Sequence, residues 1–275
     1  MNVTRDSLVA ILDACRFPSL TLVAWAMEMF HLSHHVQYNN SDRPIAVGEY
    51  KAADTRLLQG CILTKADPAV ILLRIPRNSR SINVALRIRL HDLATVCFCA
   101  TRLEDIGQDL LKRCSERSRL LMVHPLYFLV LIFEQRFVDY KEWFDKLVEE
   151  NNVVESATGM THSSWRKRLS GNTIAWFSDY DNLLRSIYAS HTELSHFITV
   201  ITFFIKFGNF LLETHRLIED LRVEAGVTRM SKRDYESLHQ RIQFSLSRCD
   251  MTSDKAKEIV ERVKGQINVV SRHTG

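Results

Sequence analysis

Proline is absent from the second half of this chain. Pro18, Pro44, Pro68, Pro76 and Pro125 are the only five, and none follows position 125. Proline removes a backbone donor and clashes with the preceding helical turn. The second half is therefore free to build long helices, while the first half is cut into shorter pieces. An excess of one charge is also lacking. The 36 Lys and Arg against 32 Asp and Glu are spread along the sequence, which gives no argument for nucleic acid, since that needs a clustered basic face. Cysteine is sparse and scattered, at Cys15, Cys61, Cys97, Cys99, Cys114 and Cys249. That is not the dense framework of a small secreted domain, and reduced thiols in a cytosolic compartment are expected. Cys97 and Cys99 bracket Phe98 in an apolar stretch. No second Cys or His pair follows at zinc-site spacing, so both are expected to be buried thiols.

Glycine-rich phosphate loops and a Gly-x-Ser-x-Gly elbow are missing too. No catalytic residue is assigned, and the chain is not expected to be an enzyme. Nor is there an expected membrane span. Arg5, Asp6 and Asp13 precede any apolar run, which is wrong for a secretory signal. Residues 120–133 are uncharged but interrupted by His124 and Pro125, and they fall short of the roughly 20 residues a span needs. Residues 194–212 include Lys206 together with Ser195, His196, Thr199, Thr202 and Asn209, polar groups that are costly against lipid. Both segments read as core helices, and a cytoplasmic location is expected.

What is present divides the chain into three regions, 1–120, 121–178 and 179–275. In the first, 6–15, 20–30 and 103–113 read as helices. The turn-forming run Asn39-Asn40-Ser41-Asp42-Arg43-Pro44 reads as a loop. Branched apolar runs at 58–63, 69–75, 82–88 and 93–100, separated by breakers such as Asp67-Pro68 and Arg77-Asn78-Ser79, suit short strands. A helix is expected from Pro125 to about residue 150, then a polar linker over 151–170. From 179 to 222 a helical seam runs through Leu184, His191, Ile198, Ile205 and Leu212, with Ile187, Leu194, Ile201 and Gly208 on a second line. Phe197, Phe204, Leu211 and Ile218 widen it. Gly226 marks a turn, and Ser231 with Asp234 resembles a capping box. A return seam follows through Tyr235, Leu238, Ile242, Leu246, Cys249, Ala256, Ile259, Val263, Ile267 and Val270, with Thr252-Ser253-Asp254 as a fresh helix start. The fold class expected is α+β and helix-dominated: a small N-terminal mixed sheet with helices, then long antiparallel α-helices.

Several constellations invite chemistry. Glu193 with His196 and Glu236 with His239 have the Glu-x-x-His spacing of di-iron bundles, but the heptad count turns Glu193, His196 and Glu236 away from the seam. His31 and His35, with His34 beside them, would share a face on a helix. They lack the Glu of a His-Glu-x-x-His site and read as a polar helix end. Trp165-Arg166-Lys167-Arg168 suits phosphate geometry but reads as an exposed loop. His191 reads as a core histidine. Asp139, Asp145, Glu149, Glu150, Asp179 and Asp181 offer oxygen ligands to a hard cation and read as solvated surface charge.

A family resemblance enters on words in order. Gly159-Met160-Thr161 is followed by Ser164-Trp165-Arg166 and Asp179-Tyr180-Asp181-Asn182-Leu183-Leu184. Thr192-Glu193-Leu194, Phe207-Gly208-Asn209-Phe210, Gln243-Phe244-Ser245-Leu246-Ser247-Arg248-Cys249 and Arg262-Val263-Lys264-Gly265-Gln266-Ile267-Asn268-Val269-Val270 come after. Over about 120–270, with His124-Pro125-Leu126 as the helix start, the chain resembles the cytoplasmic part of fungal CorA-like magnesium-transporter proteins. The resemblance implies an α/β region, then helices, the last leading into a stalk that this sequence carries only in part. It implies no catalytic residue, no cofactor beyond a weak magnesium site, and no pore residue, since Gly159-Met160-Thr161 lies in a polar region. It also implies that this chain does not conduct ions alone and acts as a regulatory or ion-sensing domain. Partnership through the long helices, with a second copy or another protein, is expected. The competing expectation is a helical scaffold for protein interaction with no metal role.

Overall fold

A computed structural model describes residues 5–14, 31–38, 46–51, 66–75, 82–89, 92–101, 103–157, 180–224 and 226–272. Helix α1 (Arg5–Ala14) precedes five strands: β1 (His31–Tyr38), β2 (Ala46–Lys51), β3 (Ala66–Ile75), β4 (Ile82–Ile88) and β5 (Thr95–Thr101). Short helices α2 (Glu104–Glu116) and α3 (Ser118–Val123) follow. Three long ones complete the chain: α4 (Tyr127–Ala157), α5 (Tyr180–Glu224) and α6 (Lys232–Arg272). The architecture is α+β and helix-dominated. The expected helix at 20–30, strand at 58–63, and 39–44 loop lie outside the described residues.

Strand order is β2-β1-β3-β4-β5, and all four pairings are antiparallel, so among the described residues the sheet is antiparallel and not mixed. Connections as short as 76–81 and 89–94 can only return a strand beside its neighbour, since a parallel crossover needs a dozen residues or more. Ile71 and Leu73 of β3 face Leu86 and Val84 of β4. All four are buried with Ile82 and Ile88, giving the sheet one apolar face. Asp67-Pro68 does not end a strand. Both residues lie within β3, where the ladder steps from Val36↔Ala69 to Tyr38↔Ala66, so two residues oppose the single Gln37. A bulge is where a strand tolerates proline.

The chain divides into two compact units, Met1–Ile132 with Phe207–Gln243, and Phe133–Lys206 with Phe244–Gly275. In the second, α4, α5 and α6 pack as a bundle. Phe133 stacks on Phe204 at 5.8 Å and Phe144 on Phe197 at 4.7 Å, so α4 and α5 run antiparallel. Arg248 lies over the Phe137 ring at 4.5 Å and Arg262 bonds Glu155, so α4 and α6 run parallel. Each helix buries residues at alternating steps of three and four. On α4 these are Phe133, Phe137, Tyr140, Phe144, Leu147, Asn151 and Val154, the spacing of knobs-into-holes packing.

On α5 the buried seam is turned from the expected one. Ile187, Leu194, Ile201 and Gly208 are buried, as are Ser190, Phe197, Phe204, Leu211 and Ile218. The line Leu184, His191, Ile198, Ile205 and Leu212 is only half-buried, so His191 is a flanking residue and not a core one. Large aromatic rings on the Phe197 line outweigh the aliphatic residues of the other. By length and composition α5 is apolar enough to cross a membrane. Leu194, Phe197, Val200, Phe204, Phe207 and Leu211 of that stretch are buried inside the protein. On its exposed face Thr192, Ser195, Thr199 and Thr202 each donate to the carbonyl four residues back.

The turn between α5 and α6 follows the sequence closely. Gly226 takes φ 74°, the left-handed conformation favoured after a helix end. Its N–H donates to Val223 O while Val227 N donates to Arg222 O, closing the terminal carbonyls. Ser231 Oγ accepts Asp234 N at 3.1 Å and donates to the Asp234 carboxylate at 2.7 Å. Thr252-Ser253-Asp254 does not start a new helix, because α6 runs unbroken through it. Thr252 Oγ1 donates to Arg248 O at 2.8 Å, and Thr252 and Ser253 are buried.

Candidate functional site

The acidic residues singled out above do not converge. Asp139 accepts Arg136 Nη1 at 2.8 Å and Gln135 Nε2 at 3.1 Å, and Asp145 accepts Lys141 Nζ at 2.5 Å. Glu149 and Glu150 are exposed near the end of α4. Asp181 lies in the first turn of α5, and Asp179 is outside the described residues, as is Trp165-Arg166-Lys167-Arg168.

The Glu-x-x-His pairs belong to different units, and neither forms a ligand pair. Glu193 and His196 are exposed, and His196 packs edge-on against Trp143 at 5.8 Å. Glu236 is exposed and lies 3.8 Å from Lys232, while His239 is half-buried beside Tyr235. His31, His34 and His35 sit on β1 rather than on a helix. Four residues along a strand place His31 and His35 about 13 Å apart along the backbone, at ~3.3 Å per residue. Branched and aromatic neighbours that pair in the β1 ladder override the helical spacing. Cys97 and Cys99 sit on β5 as a strand pair, but Cys97 is exposed and Cys99 half-buried, so the expected burial fails. An outermost strand leaves its start open to solvent. Desolvation raises the Cys99 and Cys249 thiols to about 12, which keeps them protonated at neutral pH. Among the described residues no three His, Cys, Asp or Glu side chains gather in ligand geometry.

Two buried polar clusters were not among the sequence candidates. In the first unit His124 and His215, neither with any exposed surface, meet edge-to-face at 5.3 Å. His215 stacks on Tyr235 at 4.3 Å, with His239 at 6.3 Å. His124 Nδ1 accepts Leu126 N at 3.1 Å, so its proton sits on Nε2. That nitrogen and both of His215 have no partner among the described residues. Burial, then His215 and Arg222, lowers His124 to about 3. Burial, then His239 and Arg216, lowers His215 to about 4. Both rings are therefore neutral at pH 7. One signal pointed here: His215 continues the Ile187, Leu194, Ile201, Gly208 line by one more heptad.

Beside this cluster, at the α5–α6 turn, lies a recess of about 410 Å3 lined by Arg216, Glu219, Asp220, Arg229, Lys232 and Tyr235. Glu219 braces the turn, accepting Met230 N at 3.0 Å and Arg222 Nη1 at 3.1 Å.

In the second unit buried Glu155 accepts Asn151 Nδ2 at 2.9 Å and bonds Arg262 of α6. Asn151 and Gln266 are buried as well. The ion pair ties α4 to α6 at one register. Arg262→Ala is expected to cost about 2 kcal/mol, below the full value for a buried pair because Arg262 is 44% exposed. Urea unfolding checks it, and Glu155→Gln with Arg262→Ala together should cost less than Arg262→Ala alone.

Comparison with protein-family models finds no match, and no curated protein matches the chain.

Proposed function

We propose that this chain is a non-catalytic regulatory module of the CorA-like kind, a cytoplasmic domain that responds to a divalent cation and does not conduct one by itself. The observation that carries the reading is the order of the fold. A sheet region leads through short helices into three long ones, the last of them 41 residues without a break. That order is what the sequence resemblance implies for the cytoplasmic part of such transporters. A continuous helix with a heptad seam is a stiff element that carries displacement along its length. The cation is a hard one, magnesium by the resemblance, held by carboxylate oxygens. Asp145, Glu149 and Glu150 are the exposed acids of the candidate set on α4, and Asp145 is paired with Lys141.

Magnesium titration tests this. At ten times the dissociation constant, binding to the folded state stabilises it by about 1.4 kcal/mol, raising the melting temperature by about 3–5 °C. Glu149→Gln with Glu150→Gln should reduce the shift, and matched sodium chloride should not reproduce it. Neither heat nor a shift at millimolar magnesium overturns ion response. The second reading, a helical interaction module with no metal role, would then hold. It is favoured by Phe244 and Met251, seven residues apart on α6 and 64% and 74% exposed.

A further inference from the structure

The sheet ends on β5, which among the described residues borders β4 alone. An edge strand offers backbone N–H and C=O groups to another strand, and folded proteins guard such edges with charges, proline, bulges or a covering segment. The opposite edge, β2, contains Glu49 and Lys51. Among the described residues β5 has none of these guards. Its sequence, Thr-Val-Cys-Phe-Cys-Ala-Thr, holds no charge, proline or glycine, and its ladder with β4 runs unshifted from Ile82↔Thr101 to Ile88↔Thr95. Thr95, Val96 and Cys97 are exposed, Val96 at 41%, so none of the described residues covers the start of the strand.

The occupant is written in the strand itself. β5 reads almost identically from either end about Phe98: Thr95 matches Thr101, Cys97 matches Cys99, and small apolar Val96 matches Ala100. Two identical strands pairing antiparallel are related by a twofold axis, and each residue then faces its mirror position. We propose that the outer edge of β5 pairs antiparallel with β5 of a second copy of this chain, centred on Phe98, continuing the sheet across the axis. Thr95 then faces Thr101 of the second copy at both ends, a favourable hydroxyl pair. Cys97 faces Cys99 of the second copy on both sides of the axis. This interface does not depend on the cation-responsive reading or on the long helices.

The register makes the test specific. Directly opposed residues in an antiparallel pair have Cα atoms about 4.5 or 5.5 Å apart, within disulfide reach. Sedimentation of the full chain should show a concentration-dependent dimer. Copper-phenanthroline oxidation should then give a covalent dimer whose peptide map joins Cys97 to Cys99. Each link uses one thiol of each kind, so Cys97→Ser and Cys99→Ser should each abolish it. Val96→Lys, the charge that natural edges carry, should weaken the dimer by roughly tenfold or more with unchanged circular dichroism. A chain that stays monomeric up to millimolar concentration overturns the proposal. So does a link between two Cys97 residues, or a dimer that survives Val96→Lys in folded protein. The peptide map decides even if Val96→Lys fails to fold.

Discussion

Acidification from pH 7 to pH 5 destabilises the fold by on the order of 3–4 kcal/mol, most of it through His124 and His215. Both are fully buried and held neutral, at about 3 and about 4, chiefly by desolvation. In the unfolded chain each would titrate near the ordinary 6.5. Between those values the unfolded state binds protons that the folded state refuses. Stability is thus fully present above about pH 6.5 and is lost as pH falls toward the folded values, at up to about 1.4 kcal/mol per pH unit for each ring. Among the described residues no carboxylate offsets this at either ring. The charged neighbours are Arg222 and Arg216, which oppose protonation, and the remaining rings are Tyr235 and His239. Urea titrations at pH 7, 6 and 5 measure the slope. His124→Asn keeps an acceptor for Leu126 N–H, and His215→Phe keeps a ring against Tyr235. Together they should remove most of the pH dependence. A double variant with the wild-type slope places the acid sensitivity elsewhere.

Those histidines also show why parts of this protein were hard to read in advance. The long helices were legible because nothing breaks them after Pro125, and because Gly226 and Ser231 punctuate the turn in the way helix ends demand. Strands β3, β4 and β5 were legible from branched apolar runs, within a residue or three at their ends. The seams were harder because they contain polar residues. Asn151, Ser190, His215, Ser245, Thr252 and Gln266 all occupy buried heptad positions. Apolar counting therefore drifts to neighbouring lines, and Thr252 reads as a helix start. Its hydroxyl bonds inside the helix instead, which periodicity does not reveal. β1 was missed because His31 and His35 match helical spacing equally well. Only pairing with β2 and β3 decides between the two. The Glu155–Arg262 pair joins residues 107 apart in sequence, a contact that no local pattern encodes.

Phe204→Ala is expected to cost 3–5 kcal/mol, about as much as any single substitution in this chain. Phe204 has no exposed surface. It stacks on Phe133, meets Tyr140 edge-on at 5.0 Å and touches Phe203 at 5.7 Å. Truncation removes the ring's transfer free energy and leaves a cavity whose aromatic walls, on α4 and α5, have lost their partner. Ile198→Ala, on the half-buried line one position round the helix from Phe197, should cost only about 1 kcal/mol, since much of its side chain already meets water. The pair of variants therefore measures which line of α5 faces the core. The melting temperature should fall by about 6–20 °C for Phe204→Ala and far less for Ile198→Ala. Equal losses would put the core on the Leu184, His191, Ile198 line and turn α5 by about 100° per position. The Phe133–Phe204 and Phe144–Phe197 stacks could not then both form, and α4 would need a different partner face.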